Sequence, residues 1–182
     1  MKKIFVILFI IMFSLSAIAQ LTEVPKQNIP DEYGYVLKQG QQVPDIEFKL
    51  TDGTTVKIND LKGKVVMLQF TASWCVVCRK EMPHIEKDIW QKHKSNKNFA
   101  LFGIDMDEPL DKVIKFEKDM KITYPLALDP DAKIFYTFAA QGAGVTRNVI
   151  IGKDGKIAYM TRLFKEDEFN EMKEVIDLLL ES

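Results

Sequence analysis

Short apolar runs alternate with amphipathic stretches along this chain. Residues 65–70 and 99–104 are two such runs, rich in β-branched and aromatic side chains, and each predicts a buried strand. Between them Met82, Ile85 and Ile89 recur at the spacing of one helix face. The order strand, helix, strand predicts a βαβ unit, in which the two strands are parallel neighbours in one sheet.

Similar patterns predict elements on both sides of this unit. Asp52-Gly53 separates the strand patterns 46–50 and 55–58, and a Gly-rich turn at 152–155 separates 149–151 from 157–159. Two hairpins are therefore expected. Helices are expected at 109–121, at 131–138, and in a closing amphipathic segment with Phe169, Met172, Ile176 and Leu179. Together these elements predict an α/β protein with a mixed sheet flanked by helices.

The first residues have the pattern of a signal peptide. Met1-Lys2-Lys3 is basic, residues 4–18 are almost continuously apolar, and Ala17-Ile18-Ala19 has the small-x-small form that a signal peptidase reads. We expect a signal peptide at 1–19, an extended leader at 20–42 and one domain at 43–182. The protein is then exported to the periplasm, and an uncleaved segment would anchor it in the membrane instead.

Composition and charge argue against two classes of function, nucleic-acid binding and zinc binding. The formal net charge is -1 and charged residues make up 28% of the chain, which is typical of a soluble globular protein and gives no basic surface for nucleic acid. Neither histidine, His84 or His93, has a partner at zinc spacing, so both are expected to be exposed helix residues. No metal and no cofactor is expected.

The two cysteines of the chain are Cys75 and Cys78, in the run Trp74-Cys75-Val76-Val77-Cys78. An exported protein can hold them as a disulfide, but a ring this small constrains little chain entropy, which favours a chemical role. Cys75 is expected at the first turn of a helix, where unpaired N–H groups and the helix dipole stabilise a thiolate. Cys78 lies one turn deeper. We therefore expect Cys75 to attack substrate and Cys78 to resolve the mixed disulfide.

From residue 40 to about residue 180 the chain resembles the thioredoxin superfamily. It is most similar to the exported TlpA/ResA-like thiol-disulfide reductases, which have an AhpC/TSA/redoxin-type domain. The motifs that carry the resemblance are Gly40-Gln41-Gln42-Val43-Pro44-Asp45-Ile46, Asp60-Leu61-Lys62-Gly63-Lys64, Trp74 to Cys78, and Lys80-Glu81-Met82-Pro83. The resemblance implies a thioredoxin-like fold with an added N-terminal β-hairpin, thiol-disulfide oxidoreductase activity, and a kink at Pro83.

The resemblance also implies roles for residues outside the cysteine pair. Glu81 stands where ResA-like proteins have a glutamate that tunes the cysteines and moves protons, although a solvated helix charge is the alternative. Gln69 replaces the buried aspartate of thioredoxins. Thr146 stands where the family has a cis-proline, so a trans Val145-Thr146 bond is expected. The backbone of Val145 then remains the best candidate for substrate docking.

Two other groups of side chains leave alternatives open. Trp74 either shields the sulfurs and offers a substrate-binding surface or packs in the core. Asp105, Asp107 and Glu108 resemble a cation site, but capping of the next helix is the simpler expectation.

Two rival functions also remain open. The first is a thiol peroxidase of the peroxiredoxin type, which Thr71 and Arg147 permit but Ala72, three residues before Cys75, argues against. The second is a copper-binding chaperone, although the chain lacks the late histidine of such relatives. The family favours a reductase that acts on a protein disulfide or thiol pair. It is expected to be monomeric and to receive electrons from an upstream, membrane-bound thiol donor.

Overall fold

The computed structural model describes residues 22–182 of the chain. The expected signal peptide at 1–19 and the first two residues of the leader lie outside the described residues. Across residues 22–182 we find no helix with the length and apolar character needed to cross a membrane.

The domain is built from seven strands and five α-helices within the described residues. The strands are β1 (Glu47–Leu50), β2 (Thr55–Lys57), β3 (Val65–Thr71), β4 (Phe99–Met106), β5 (Leu126–Asp129), β6 (Arg147–Ile151) and β7 (Ile157–Arg162). The helices are α1 (Val76–His84), α2 (Gln91–His93), α3 (Leu110–Met120), α4 (Phe135–Phe138) and α5 (Glu166–Glu181). A π-helical stretch, Ile85–Trp90, joins α1 to α2. Short 3-10 turns lie at Asp31–Tyr33, Ile58–Leu61 and Pro130–Ala132.

All seven strands form one mixed sheet in the order β2-β1-β5-β4-β3-β6-β7. β3 pairs in parallel with β4 and antiparallel with β6, so it lies inside the sheet. Every residue of β3 is buried, which explains its continuous apolar run. Both expected hairpins, β1–β2 and β6–β7, are present, which confirms the thioredoxin-like fold with its N-terminal hairpin.

The two faces of the sheet pack against different layers. Leu68 and Phe70 point into a core with Phe135 and Phe138 of α4, while Met67 points into a second core with side chains of α1, α3 and α5. Neighbouring residues of β3 thus serve opposite faces, as strand geometry requires. The cysteine pair belongs to the first of these cores.

β5 was not predicted from the sequence. Leu126–Asp129 is only four residues long and contains no β-branched side chain, so it carries a weak strand signal. It lies between β4, to which it is parallel, and β1, to which it is antiparallel. The strand therefore joins the N-terminal hairpin to the rest of the sheet.

Pro83 lies inside α1, and the helix changes to π-helical hydrogen bonding at Ile85. Proline has no N–H to donate within the helix, and its ring crowds the preceding turn. The sequence position of this irregularity matches the expected disturbance at Pro83.

The leader packs against the domain. Tyr35 forms an isolated antiparallel bridge with Ala139, and Gln42 forms one with Lys156. The N–H of Val36 donates to the carbonyl of Phe138 at 3.0 Å. Residues 22–42 thus contribute backbone and side-chain contacts to the folded domain.

Candidate active site

The cysteine pair lies where β3 passes into α1. The N–H of Cys75 donates to the Ala72 carbonyl at 3.0 Å, which closes the turn after the strand. Cys75 is the N-cap of α1, and its sulfur accepts a hydrogen bond from the N–H of Cys78 at 3.2 Å. This is the helix-terminal position expected for a stabilised thiolate.

The two sulfurs are joined in a disulfide and differ in exposure. Their Cα atoms are 5.3 Å apart. Cys75 retains 8% of its surface, whereas Cys78 is fully buried. An attacking group from solution therefore reaches Cys75 first.

Exposed apolar side chains lie on both sides of Cys75 in the sequence. Trp74 is 60% exposed and Val76 is exposed as well. The core-packing alternative for Trp74 is therefore wrong, and its ring is available to a partner. Two exposed apolar side chains therefore flank Cys75 at the surface.

Thr146 lies directly against the disulfide. Its Oγ1 is 3.1 Å from Sγ of Cys75 and 3.2 Å from Sγ of Cys78, and the residue is buried. All peptide bonds of the described residues are trans, including the Val145-Thr146 bond, as expected for a non-proline residue. The loop that carries a cis-proline in the family thus faces the cysteines here with a hydroxyl.

Glu81 is buried below the cysteine pair in α1, with 1% of its surface exposed, so the interpretation as a solvated helix charge is wrong. Its Oε1 accepts a hydrogen bond from Nδ2 of Asn148 at 2.7 Å, and Asn148 also donates to Oγ1 of Thr161 at 2.9 Å. Burial raises the pKa of Glu81 to about 7, and the Asn148 hydrogen bond only partly opposes this. A carboxyl with such a pKa can gain and lose a proton near neutral pH.

Gln69 occupies the centre of β3, next to Asn148 of β6 in the sheet register. Its Oε1 accepts a hydrogen bond from the Tyr124 hydroxyl at 2.7 Å. Among the described residues its Nε2 has no hydrogen-bond partner, and neither has Oε2 of Glu81. A band of buried polar side chains therefore crosses the sheet beside the active-site helix.

Asp105, near the end of β4, and Asp107 and Glu108, which follow that strand, do not cap α3. Pro109 is the N-cap of that helix, with no side-chain hydrogen bond, so the capping prediction is wrong. Glu108 instead accepts hydrogen bonds from the N–H and the hydroxyl of Ser73, at 2.5 and 2.8 Å. Asp107 accepts one from the N–H of Asp131 at 3.0 Å. The physical reason is that the strand end directs these carboxylates towards neighbouring turns.

The Glu108 carboxylate holds the turn that precedes the cysteines. Burial alone would raise its pKa, but hydrogen bonds from Lys112 and Ser73 hold the pKa of Glu108 below its usual range. Burial, together with the nearby charge of Glu108, raises the pKa of the fully buried Asp105 to about 8. Asp105 is therefore a neutral carboxylic acid over most of the physiological range.

Arg147 is buried directly after Thr146. Its guanidinium donates to the carbonyls of Tyr33 and Gly144, at 3.1 and 2.8 Å, and lies 4.5 Å from the centroid of the Tyr35 ring. These contacts tie the leader to the active-site loop. The Thr71 hydroxyl, for its part, contacts the sulfur of Met82 at 3.5 Å.

The two histidines follow the cysteine pair along the chain, at the ends of α1 and α2. His84 is exposed at the end of α1, as expected, whereas the His93 side chain is only 11% exposed, so the expectation is wrong for His93. Nε2 of His93 lies 3.1 Å from a carboxylate oxygen of Asp177. The part of the chain with described coordinates contains no group of three or more His, Cys, Asp or Glu side chains placed to hold a metal ion.

A Cys-x-x-Cys disulfide lies at the start of the helix that follows the central strand, and the sheet has the strand order given above. These two features define the class of protein. The protein has a thioredoxin-like fold with a cysteine-pair site of the kind found in thiol-disulfide oxidoreductases.

Comparison with known proteins agrees with that class. The redoxin family model matches residues 38–176, and the chain belongs to the redoxin family of the thioredoxin superfamily. A thiol-disulfide oxidoreductase ResA of Bacillus cereus is 32% identical over 118 residues, which are 65% of this chain and 66% of that protein. The match thus spans just under two thirds of that relative.

Two solved structures extend the comparison. The solution structure of a proposed protein disulfide isomerase from Bacteroides thetaiotaomicron is 56% identical, has a TM-score of 0.80, and covers 82% of this chain and 94% of that one. The crystal structure of a proposed thiol:disulfide interchange protein DsbE from Chlorobium tepidum is 26% identical, with a TM-score of 0.66 and coverage of 79% and 99%.

Several residues of the site were not found from the sequence. Asn148, Tyr124 and Ser73 have roles that depend on contacts across the sheet or between loops. One signal was present: Asn148 interrupts an apolar strand with a polar side chain, and a buried amide needs partners.

Proposed function

We propose that the protein is an exported reductase of protein disulfides, in which Cys75 attacks the substrate and Cys78 resolves the mixed disulfide. The observation that carries this proposal is the asymmetry of the pair. Cys75 caps α1 and keeps some exposure, whereas Cys78 is fully buried behind it. Export and reducing direction are supported by the signal-peptide pattern and by the resemblance to TlpA/ResA-like reductases.

The reaction follows from the geometry of the reduced pair. The Cys75 thiolate attacks one sulfur of the substrate disulfide, that S–S bond breaks, and the other substrate sulfur leaves as a thiolate that takes up a proton. Cys78 then loses its proton and attacks Sγ of Cys75. The Cys75–Cys78 bond forms, and the second substrate sulfur leaves. Two electrons have passed to the substrate, and a donor dithiol must return them to the enzyme.

Substrate docking is proposed at the surface around Cys75. Trp74 and Val76 offer exposed apolar contact, and Thr146 forms the opposite wall. In the described part of the chain the backbone N–H and C=O of Val145 are not hydrogen-bonded to another backbone group. They can therefore pair with an extended substrate segment.

Glu81 is proposed as the group that takes the proton from Cys78. It is buried, stands one helical turn after Cys78, and has a pKa near 7 because of that burial. We further propose that a membrane-bound thiol protein returns electrons to the cysteine pair. The protein is proposed to be a monomer. A monomer leaves the Trp74 surface free for both the substrate and the donor.

The test is the reduction of a disulfide-bonded protein such as insulin, with dithiothreitol as the final reductant. Wild-type protein should accelerate the reduction, Cys75→Ser should be inactive, and Cys78→Ser should accumulate a mixed disulfide through Cys75. Consumption of hydroperoxide without any acceleration of insulin reduction would favour the peroxidase instead.

The direction of electron transfer and the export of the protein are tested by two separate measurements. A reduction potential near the reducing end of the range of roughly -270 to -120 mV known for such folds supports a reductase, and one at the other end contradicts it. For export, the protein recovered from the periplasmic fraction should begin at Gln20. Recovery in the cytosol with residues 1–19 intact would contradict export.

A further inference from the structure

The Thr146 hydroxyl has no partner other than the two active-site sulfurs within the described residues. It lies 3.1 Å from Sγ of Cys75 and 3.2 Å from Sγ of Cys78. Thr146 is 2% exposed, so water does not compete for its single proton. The hydroxyl can therefore donate to either sulfur by rotating about its C–O bond.

The backbone around Thr146 is held from two sides. Its carbonyl accepts the N–H of Leu163 and the guanidinium of Arg162, both at 3.1 Å. The next residue, Arg147, pairs with Phe70 at the end of β3. These contacts fix the position of the hydroxyl before any substrate binds, which is what a catalytic donor requires.

The two sulfurs differ in the other donors they have. Cys75 accepts the N–H of Cys78 at 3.2 Å and lies at the positive end of α1. Cys78 has no such help: over residues 22–182, its other polar contact is the carbonyl oxygen of Phe70 at 3.9 Å. A carbonyl oxygen is an acceptor and does not stabilise a thiolate. Within that range Thr146 is thus the one donor for a negative charge on Cys78.

We propose that the Thr146 hydroxyl is a catalytic hydrogen-bond donor that stabilises the Cys78 thiolate when the disulfide opens and when it closes. The proposal rests on the thiol-disulfide exchange described above. When an external thiolate attacks Sγ of Cys75, the Cys75–Cys78 bond breaks and its electron pair goes to Sγ of Cys78. The hydroxyl donates to that sulfur until it takes up a proton. In the reverse step the same bond stabilises Cys78 as the attacking thiolate.

The test uses Thr146→Val, which keeps the branched shape without the hydroxyl, and Thr146→Ser, which keeps the hydroxyl. A charge-assisted hydrogen bond of ordinary strength corresponds to about a tenfold effect. The rate of reduction of the oxidised protein by dithiothreitol at fixed pH should fall about tenfold in Thr146→Val and stay close to wild type in Thr146→Ser. Thr137→Val is the matched control, because the Thr137 hydroxyl in α4 donates to the carbonyl of Ile134, the N-cap of that helix.

A second measurement isolates the sulfur concerned. In a Cys75→Ser background, the pH dependence of alkylation reports the pKa of Cys78. Thr146→Val should raise that pKa by about one pH unit, with Glu81 common to every variant. If Thr146→Val matches wild type in both measurements, or Thr146→Ser is as slow as Thr146→Val, the proposal is wrong. Neither measurement uses a protein substrate, so failure of the proposed reductase function would leave these results unchanged.

Discussion

At the scale of single residues, the buried Glu81 and its hydrogen-bond partner Asn148 are the pair through which we propose that pH acts on the cysteines. Glu81 presents one oxygen to Asn148, and within the described chain its second oxygen has no partner. Of the two side chains that lower the pKa of this carboxyl, Asn148 has the larger effect and Gln69 the smaller, so its protonation state responds to the loss of Asn148.

We predict that Glu81→Gln removes the change near pH 7 in the rate of disulfide exchange, because the titrating group is gone. Asn148→Ala should shift that change to higher pH, since the hydrogen bond that lowers the pKa of Glu81 is lost. The measurement is the rate of insulin reduction between pH 5 and pH 9 at about unit steps. An unaltered pH profile in both variants would remove Glu81 from the proton transfer.

At the scale of structural elements, the leader packs against the core with partly buried side chains. The Tyr35 ring covers the Arg147 guanidinium, and its hydroxyl donates to the Thr161 carbonyl at 2.6 Å. A buried guanidinium needs carbonyl and aromatic partners because no carboxylate lies against it among the described residues.

Tyr35→Ala should therefore destabilise the folded protein by about 2 kcal/mol, less than the cost of removing a fully buried aromatic ring because Tyr35 is only partly buried. The matched control is Val36→Ala. The Val36 side chain is exposed, and the hydrogen bond it makes to Phe138 uses only backbone atoms. Chemical denaturation of the oxidised proteins gives both values. Equal stability of Tyr35→Ala and Val36→Ala would show that the leader is not part of the cooperative unit.

The elements also show what the sequence could predict. β3, β4, α3, α5 and both hairpins have long apolar patterns or clear turn residues, and their predictions are confirmed. β5 was missed because a four-residue strand is stabilised mainly by its neighbours β1 and β4. The acidic residues 105, 107 and 108 were misassigned because their partners, such as Ser73, come from loops distant in sequence.

At the active site, too, features that are local in sequence could be predicted, and features that depend on distant partners could not. Cys75 and Cys78 could be identified from their spacing and from the preceding strand, since that chemistry is local in sequence. That Thr146 lies close to the cysteines could be predicted from the strand that follows it, β6. The Asn148 hydrogen bond to Glu81 could not be predicted, because it joins a helix to a strand 67 positions away.

At the scale of the whole molecule, two buried carboxyls make stability depend on pH. Burial raises the pKa of Glu81 from 4.5 to about 7 and that of Asp105 from 3.8 to about 8. The folded protein then binds these protons more tightly than the unfolded chain. Their stabilising contribution is complete below about pH 4 and is lost as the pH rises towards about 8.

The oxidised protein should therefore unfold at lower denaturant concentration at about pH 8.5 than at about pH 5. For Glu81 alone the loss is about 3 kcal/mol, and Glu81→Gln should remove that part of the slope. Asp105→Asn should remove the part of the pH dependence of stability that extends to higher pH. Glu47→Gln, a change at an exposed carboxylate on β1, serves as the control. Stability that rises between these pH values would contradict the account.

The assignment of Cys75 as the attacking cysteine and Cys78 as the resolving cysteine is tested most directly by competitive alkylation. The reduced protein is treated with a limiting amount of iodoacetamide near neutral pH, and the modified cysteine is located by mass spectrometry. Because Cys75 caps α1 and is accessible while Cys78 is fully buried, Cys75 should be modified well before Cys78. Equal modification of the two cysteines, or faster modification of Cys78, would contradict the assigned roles.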